Sequence, residues 1–201
     1  MRYDVDSIEN RDPKAIERTL RMLEPALERW FHPEVRGLER IPEGKGLYVA
    51  NHNAGILIFD VYILGSALYR SRGLDDLPFA LAHDLAVLSP IAHELLVPLG
   101  AVRASPANAR KLFAAEKKVL VYPGGDKEAF RPWLQRDRIV FGRRMGYVRL
   151  ALREGVPIIP IVTAGAHSAL VVLDDGGRVA RALGIDQLFR VKVFPIVVSV
   201  P

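Results

Sequence analysis

GLYVANHNAGILIFDVYILGSALY, residues 46–69, carries two hydrophobic rhythms in succession. GLYVA is short and continuously apolar, the pattern of a strand covered on both faces. From Ile56 to Tyr69 the apolar residues return at helical spacing. The join between them is polar: Asn51, His52 and Asn53, followed by Ala54 and Gly55. A lone carboxylate, Asp60, interrupts the second apolar run. Buried strand, tight turn and helix in that order are the repeating piece of an α/β domain.

The same alternation extends along the chain. Further strands are expected at PFALA (78–82), GAVRA (100–104), KVLVYP (118–123), VPIIPIV (156–162) and RVKVFPI (190–196). Helical patterns cover 88–97, 106–117 with Ser105 as cap, and 144–154 ended by Gly155. The expected fold is therefore α/β, with a mixed, largely parallel central sheet flanked by helices. Ligands of such sheets bind beyond the carboxyl ends of the strands, which places the YVANHN and KVLVYPGGDKE joins on one rim.

Ahead of this domain, Asp12 and Pro13 form a helix start. Ile16, Leu20, Leu23, Leu27, Trp30 and Phe31 then recur at spacings of three and four, among Lys14, Glu17, Arg18, Arg21, Glu28 and Arg29. Residues 1–34 are read as an N-terminal amphipathic helical segment and 35–201 as the α/β domain. Two roles stay open for the helix: packing on the core, or lying on an anionic bilayer surface.

The bulk properties narrow the class. The 201 residues are half hydrophobic, enough for a sizeable core, and carry a formal charge of +5, which favours anionic partners. Cysteine is absent, excluding disulfides, thiolate metal sites and a cysteine nucleophile. The polar start MRYDVDSIENRDPK lacks the apolar stretch of a signal peptide, so a cytoplasmic location is expected. Asp60 breaks the longest apolar run, Ala54 to Leu68, and membrane contact is expected to be peripheral, at the cytoplasmic face. The apolar end FPIVVSVP is expected to pack against something, such as a C-terminal extension.

Two clusters could do chemistry. His52 follows a buried strand and precedes a helix, so its backbone is held on both sides, as suits a general base. A carboxylate on the other ring nitrogen would fix the tautomer and stabilise the imidazolium. Asp60 is the candidate for that role, and Asn51 could orient the loop. The second cluster, VLVYPGGDKEAFRP (119–132), runs a strand into Gly124 and Gly125, where the backbone can approach a ligand, and then into Asp126, Lys127, Glu128 and Arg131. Such glycines can offer amides to an oxyanion or phosphate while Lys127 or Arg131 supplies charge. Arg103, Arg143 and Arg144 add cations. His83, His93 and His167 have no metal-ligand spacing and are read as structural or peripheral. No Walker loop, dinucleotide fingerprint or G-x-S-x-G elbow is present.

Taken in order, VRGLERIPEGKGLYVANHNAG, PLGAVRASPANARKLFAAEKKVLVYPGGDKEAFR and LREGVPIIPIVTAGAHS resemble the glycerolipid (lysophospholipid) acyltransferase superfamily over about residues 35–168. VYPGGDKEAFRP with VPIIPIVTAG behind it is most similar to the diacylglycerol-acyltransferase-like branch. The family's first motif separates histidine and aspartate by four residues; here the fifth residue after His52 is Leu57, and Asp60 is the carboxylate carried over. Gly124 stands where the commoner phosphate-binding motif has glutamate.

The resemblance implies transfer of a fatty acyl group from acyl-coenzyme A or acyl-carrier protein to a glycerolipid hydroxyl. His52 would be the base and Asp60 its orienting partner. Amides near Gly124 and Gly125 would meet the oxyanion. Arg103, Lys127, Glu128, Arg131 and Arg143 would lie at the substrate, with no metal and no bound cofactor. Partners implied are the thioester donor, the lipid acceptor and an anionic membrane surface, with no nucleic acid. A non-catalytic lipid-binding relative and a lipid hydrolase are the alternatives; an α/β nucleic-acid binder is a further rival on charge alone.

Overall fold

Helix α1 (Pro13–Phe31) starts as expected: the Asp12 side chain accepts the Lys14 N–H at 2.9 Å, and Pro13 sits at the first helical position. His32, at φ 43°, ends it. This is a computed structural model, describing residues 2–184 and 191–198. The next elements are β1 (Gly46–Ala50), α2 (Phe59–Arg72), β2 (Phe79–Ala82), α3 (Asp84–Leu88), α4 (Pro90–Leu96), β3 (Ala101–Arg103) and α5 (Pro106–Ala114). They are followed by β4 (Lys118–Val121), α6 (Gly125–Ala129), α7 (Gly146–Glu154), β5 (Ile158–Ile161), β6 (Val171–Asp174), α8 (Gly177–Ala182) and β7 (Ile196–Val198).

These elements form two compact units. The first comprises Met1–Val49, Val61–Val121 and Tyr147–Pro160. It carries the sheet, in the order β3-β2-β4-β1-β5. β1 runs parallel to β4, with Gly46 opposite Lys118 and Val49 opposite Val121. β4 is parallel to β2, and β2 to β3. All five residues of β1 are buried, which is why its sequence shows no polar alternation. A side chain at Gly46 would strike Ile159 of β5 at 2.7 Å, so glycine permits the two strands their approach.

In the same unit α1 buries Ile16 and Leu27. Its polar face is bonded to α2: Glu24 accepts from the Ser66 hydroxyl at 2.5 Å and from Arg70 at 2.8 Å, and Glu17 accepts from the Tyr69 hydroxyl at 2.7 Å. Residues on both sides of position 34 thus belong to this unit. Ser105 caps α5 by accepting the Asn108 N–H at 3.1 Å. The helix stops at Ala114, short of the expected Lys117, because Glu116 turns left-handed at φ 56°.

Three expected elements differ. The helix expected from Ile56 starts at Phe59, because residues 54–58 are spent in a turn that Ala54 and Gly55 enter at φ 51° and 61°. The single helix expected at 88–97 is two, broken at Ser89, whose extended backbone satisfies the restriction imposed by Pro90. Of the strand expected at 190–196, Arg190 lies outside the described residues, and the pairing begins only at Ile196. Of the apolar end FPIVVSVP, the last three residues lie outside the description as well.

The second unit comprises Ala50–Asp60, Tyr122–Gly146 and Ile161–Pro201. β6 and β7 pair antiparallel within it, with Val171 opposite Val198. The segments that follow β1 and β4, with His52 and the Pro-Gly-Gly turn, both belong to this unit.

Candidate active site

Glu128 and Arg131 grip the backbone of His52 from both sides. The Glu128 carboxylate accepts the His52 N–H at 2.9 Å and the Val140 N–H at 2.8 Å. The Arg131 guanidinium donates to the His52 carbonyl at 2.6 Å and to Asn53 Oδ1 at 2.7 Å. It also donates to the carbonyls of Gln135 at 3.1 Å and Arg136 at 2.7 Å. Glu128 is fully buried and Arg131 nearly so, a placement long charged side chains take only when their hydrogen bonds are met inside. Burial pushes the Glu128 carboxyl up, against the two amides and the arginine that favour its anion. Glu128 and Arg131, expected to touch substrate, are hydrogen-bonded to the histidine loop and to residues 135–140.

Asn51 is committed in a similar way. Its amide nitrogen donates to the Thr163 carbonyl at 2.9 Å, and its amide oxygen accepts the Thr163 N–H at 2.8 Å. The side chain thus pairs with a backbone as a neighbouring strand would, and positions the loop rather than the imidazole. His167, read from sequence as structural, is a strut of this same loop: its Nδ1 accepts the Ala54 N–H at 3.1 Å, and its Nε2 lies 2.9 Å from the Arg131 carbonyl. Asn53, Tyr122 and His167 were not among the expected site residues. Only the symmetry of N-H-N around His52 and the position of Tyr122 ahead of Pro-Gly-Gly could have flagged the first two.

The imidazole of His52 is treated differently from its backbone. Its ring packs on Tyr122 with centroids 4.8 Å apart and an interplanar angle of 43°. Nδ1 is sealed from solvent and has no hydrogen-bond partner among the described residues. Burial holds the pKa down to about 4, with the charge of Arg131 adding to the effect and the nearby Asn53 backbone and Asp126 opposing it. The ring is therefore neutral across the physiological range. Asp60, in the first turn of α2, is buried and accepts the Asn53 side-chain amide at 3.2 Å. Its charge also raises Tyr122, whose hydroxyl is already pushed well up by burial. Asp60 is thus hydrogen-bonded to Asn53, the residue next to the histidine.

The glycines serve close packing. A Cβ on Gly124 would fall on the Glu128 side chain, and Gly125, at φ 54°, would place one against Arg144. The Gly125 N–H is occupied by the Tyr122 carbonyl at 3.1 Å. Arg144 donates to the carbonyls of Pro123 at 3.1 Å and Gly124 at 2.7 Å and pairs with Asp126 at 3.3 Å, fixing the turn. Gly55, at φ 61°, lies where a side chain would meet the Phe130 ring at 2.5 Å. Lys127 and Arg143 are exposed. Arg103 belongs to the first unit, where Asp6 and Asp84 stand 3.5 and 3.6 Å from it. No group of three potential ligands among the described residues could hold a metal ion.

A family profile described as Acyltransferase matches residues 32–164, two thirds of the chain and all of the His52 and Pro-Gly-Gly segments. The chain belongs to the acyltransferase family. Within it, an uncharacterised protein of Mycobacterium tuberculosis is 32% identical over 168 residues, covering 83% of this chain and 47% of the relative. The mouse protein named DGAT1/2-independent enzyme synthesizing storage lipids is 26% identical over 161 residues, covering 80% of this chain and 44% of the relative. The chain spans about half the length of the curated relatives it matches. The crystal structure of the 1-acyl-sn-glycerophosphate acyltransferase of Thermotoga maritima superposes with a TM-score of 0.46 at 21% identity, covering 73% of this chain and 58% of that one.

Proposed function

We propose that the chain is an O-acyltransferase that moves a fatty acyl group from a thioester, acyl-coenzyme A or acyl-carrier protein, to a glycerolipid hydroxyl such as that of a lysophospholipid or diacylglycerol. One observation carries the reading: within the family's matched region, the protein clamps the backbone of His52 at both N–H and C=O yet leaves its imidazole neutral, with Nδ1 unpartnered among the described residues. A neutral ring on a fixed backbone is what a general base requires.

In this mechanism Nε2 of His52 removes the acceptor hydroxyl proton as that oxygen bonds to the thioester carbonyl carbon. The carbon–sulfur bond then breaks, and the imidazolium returns the proton to the departing thiolate, so no acyl-enzyme forms. A histidine held at about 4 is a strong acid once protonated, which favours this second transfer over the first. Asp60, reaching the loop through Asn53, is assigned to orient and charge-stabilise the ring, whose Nδ1–H needs an acceptor as charge builds. Backbone amides of the Gly124 turn are assigned to the oxyanion and Lys127 and Arg143 to phosphate; the engaged Gly125 N–H leaves its neighbours as the donors. The acceptor is taken from an anionic membrane surface at the cytoplasmic face. No described helix is long and apolar enough to cross a membrane.

The test is acyl transfer by the purified protein from an acyl thioester to lysophospholipid and to diacylglycerol, with products separated from free fatty acid. Ester formation that His52→Ala abolishes is expected. Undiminished transfer by that variant sinks the mechanism, and free fatty acid as sole product replaces it with hydrolysis.

A further inference from the structure

PWLQRDRIVFGRRMG, residues 132–146, follows Arg131 out of the site; its later arginines, Arg143 and Arg144, belong to the site described above, while the side chains of residues 133–139 have no part in the proposed chemistry of His52. It is polar and apolar in a way that a loop seldom is. Leu134 is 90% exposed, and Ile139 and Met145 are each half exposed. Between them stand Arg136 and Arg138, with Asp137 as the only acid of the segment. Arg136 lies over the Trp133 ring at 4.7 Å, an arginine–indole pair of the kind found where water meets an apolar phase.

We propose that this segment is a docking surface for an anionic lipid bilayer, with Leu134, Ile139 and Met145 entering the headgroup region and Arg136 and Arg138 meeting lipid phosphates. The charge selects an anionic partner. The apolar side chains between the arginines select a lipid surface over a nucleic acid, which would occupy the cations and leave Leu134 and Ile139 in water. Helix α1 buries Ile16 and Leu27 within its own unit but leaves Met22 and Trp30 exposed, which makes it the rival surface to be tested.

The anchorage of the segment gives the docking a purpose. Arg131 holds the carbonyls of Gln135 and Arg136 with the same guanidinium that holds the His52 carbonyl. Glu128 holds the Val140 N–H with the carboxylate that holds the His52 N–H. The tip of the loop and the histidine backbone therefore hang from two shared, buried residues, and a bilayer engaging the tip meets it at a fixed distance from the base. This rests on the proposed lipid acceptor, but the binding is measurable without any turnover.

The experiment is co-sedimentation of the full chain with phosphatidylcholine vesicles, with and without about 30% phosphatidylglycerol, for which two arginines predict a preference of about thirtyfold. Arg136→Gln with Arg138→Gln removes that preference, and Leu134→Ser with Ile139→Ser lowers binding to both vesicle types by about tenfold or more. Melting temperatures identify either variant as folded. Wild-type binding retained by both folded variants, loss of binding instead in Met22→Ser with Trp30→Ser of α1, or competition by an oligonucleotide at equal charge overturns the proposal. Vesicle binding that follows these rules in a protein without acyl transfer leaves the docking standing and removes the reaction; acyl transfer without vesicle binding does the reverse.

Discussion

His52 and His167 lie in the same unit, both with imidazoles lowered by burial, and the protein uses them in opposite ways. At His167 the ring is saturated. Nδ1 accepts a backbone N–H, so the proton sits on Nε2 and is donated to the Arg131 carbonyl. That tautomer is fixed and neither nitrogen remains. At His52 the backbone is saturated, gripped by Glu128 and Arg131, while Nδ1 is buried without a hydrogen-bond partner among the described residues. Burial alone does not distinguish a working histidine from a strut. The distinction is which part of the residue the surrounding hydrogen bonds consume.

The most severe way to break this contrast is to truncate each ring in turn. His52→Ala is expected to cost about 10³-fold in kcat/KM, the usual worth of a positioned general base, while leaving unfolding free energy within about 1 kcal/mol of wild type. His167→Ala is expected to do the reverse. It strands a buried N–H and a buried carbonyl and opens a cavity, for a loss of about 3 kcal/mol in denaturant unfolding, while the folded fraction keeps most of its turnover. A large stability loss at His52 or a pure activity loss at His167 would erase the distinction.

Much of this contrast was legible in the sequence and part of it was not. The continuous apolar run GLYVA, the Asp12 and Ser105 caps and the glycine stop at 155 announced their elements, because propensity and burial agree there. The rim rule for parallel sheets put the YVANHN and KVLVYPGGDKE joins on one rim, and the parallel pairing of β1 with β4, which the sequence did not specify, agrees with it. The roles of Glu128 and Arg131 did not follow. Surface charge is the ordinary expectation for such residues, and only long-range hydrogen bonds, 76 and 79 residues apart in sequence, show them turned inward. The small sheet was only partly foreseen: β6 was not among the expected strands, and β7, apolar but exposed along its length, starts at the last residue of the strand expected at 190–196. His167 carries no local signal, since its partners are backbone atoms brought to it by tertiary structure.

Asp60→Asn sharpens the comparison at a smaller magnitude. The Asn53 amide can still find an oxygen at position 60, so the hydrogen bond survives and only the charge is lost. Since no hydrogen bond from Asp60 to the neutral ring is seen among the described residues, the loss falls on the imidazolium, and a ten- to hundredfold drop in kcat with KM little changed is expected. A loss equal to that of His52→Ala would mean that the carboxylate holds the ring itself.

The smallest expected effect is a flat pH profile. A histidine of ordinary pKa, about 6.5, would be nine-tenths protonated at about pH 5.5 and would cost tenfold in kcat/KM. With burial holding His52 at about 4, the ring stays neutral there, and activity per folded molecule is expected to be level from about pH 7 to 5.5, falling only as pH approaches 4. Stability behaves differently over the same interval. The unfolded chain takes up a proton near pH 6.5 that the folded ring refuses until about 4, so the unfolded state binds more protons throughout this window. Folding is therefore weakened steadily as pH falls through the window and levels off below it, and His167, also lowered, adds in the same direction. Activity and stability should part company between about pH 6.5 and 5, the first constant while the second declines. An acid limb in kcat/KM at about 6.5 would place the essential proton on a solvated group and remove His52 from the role.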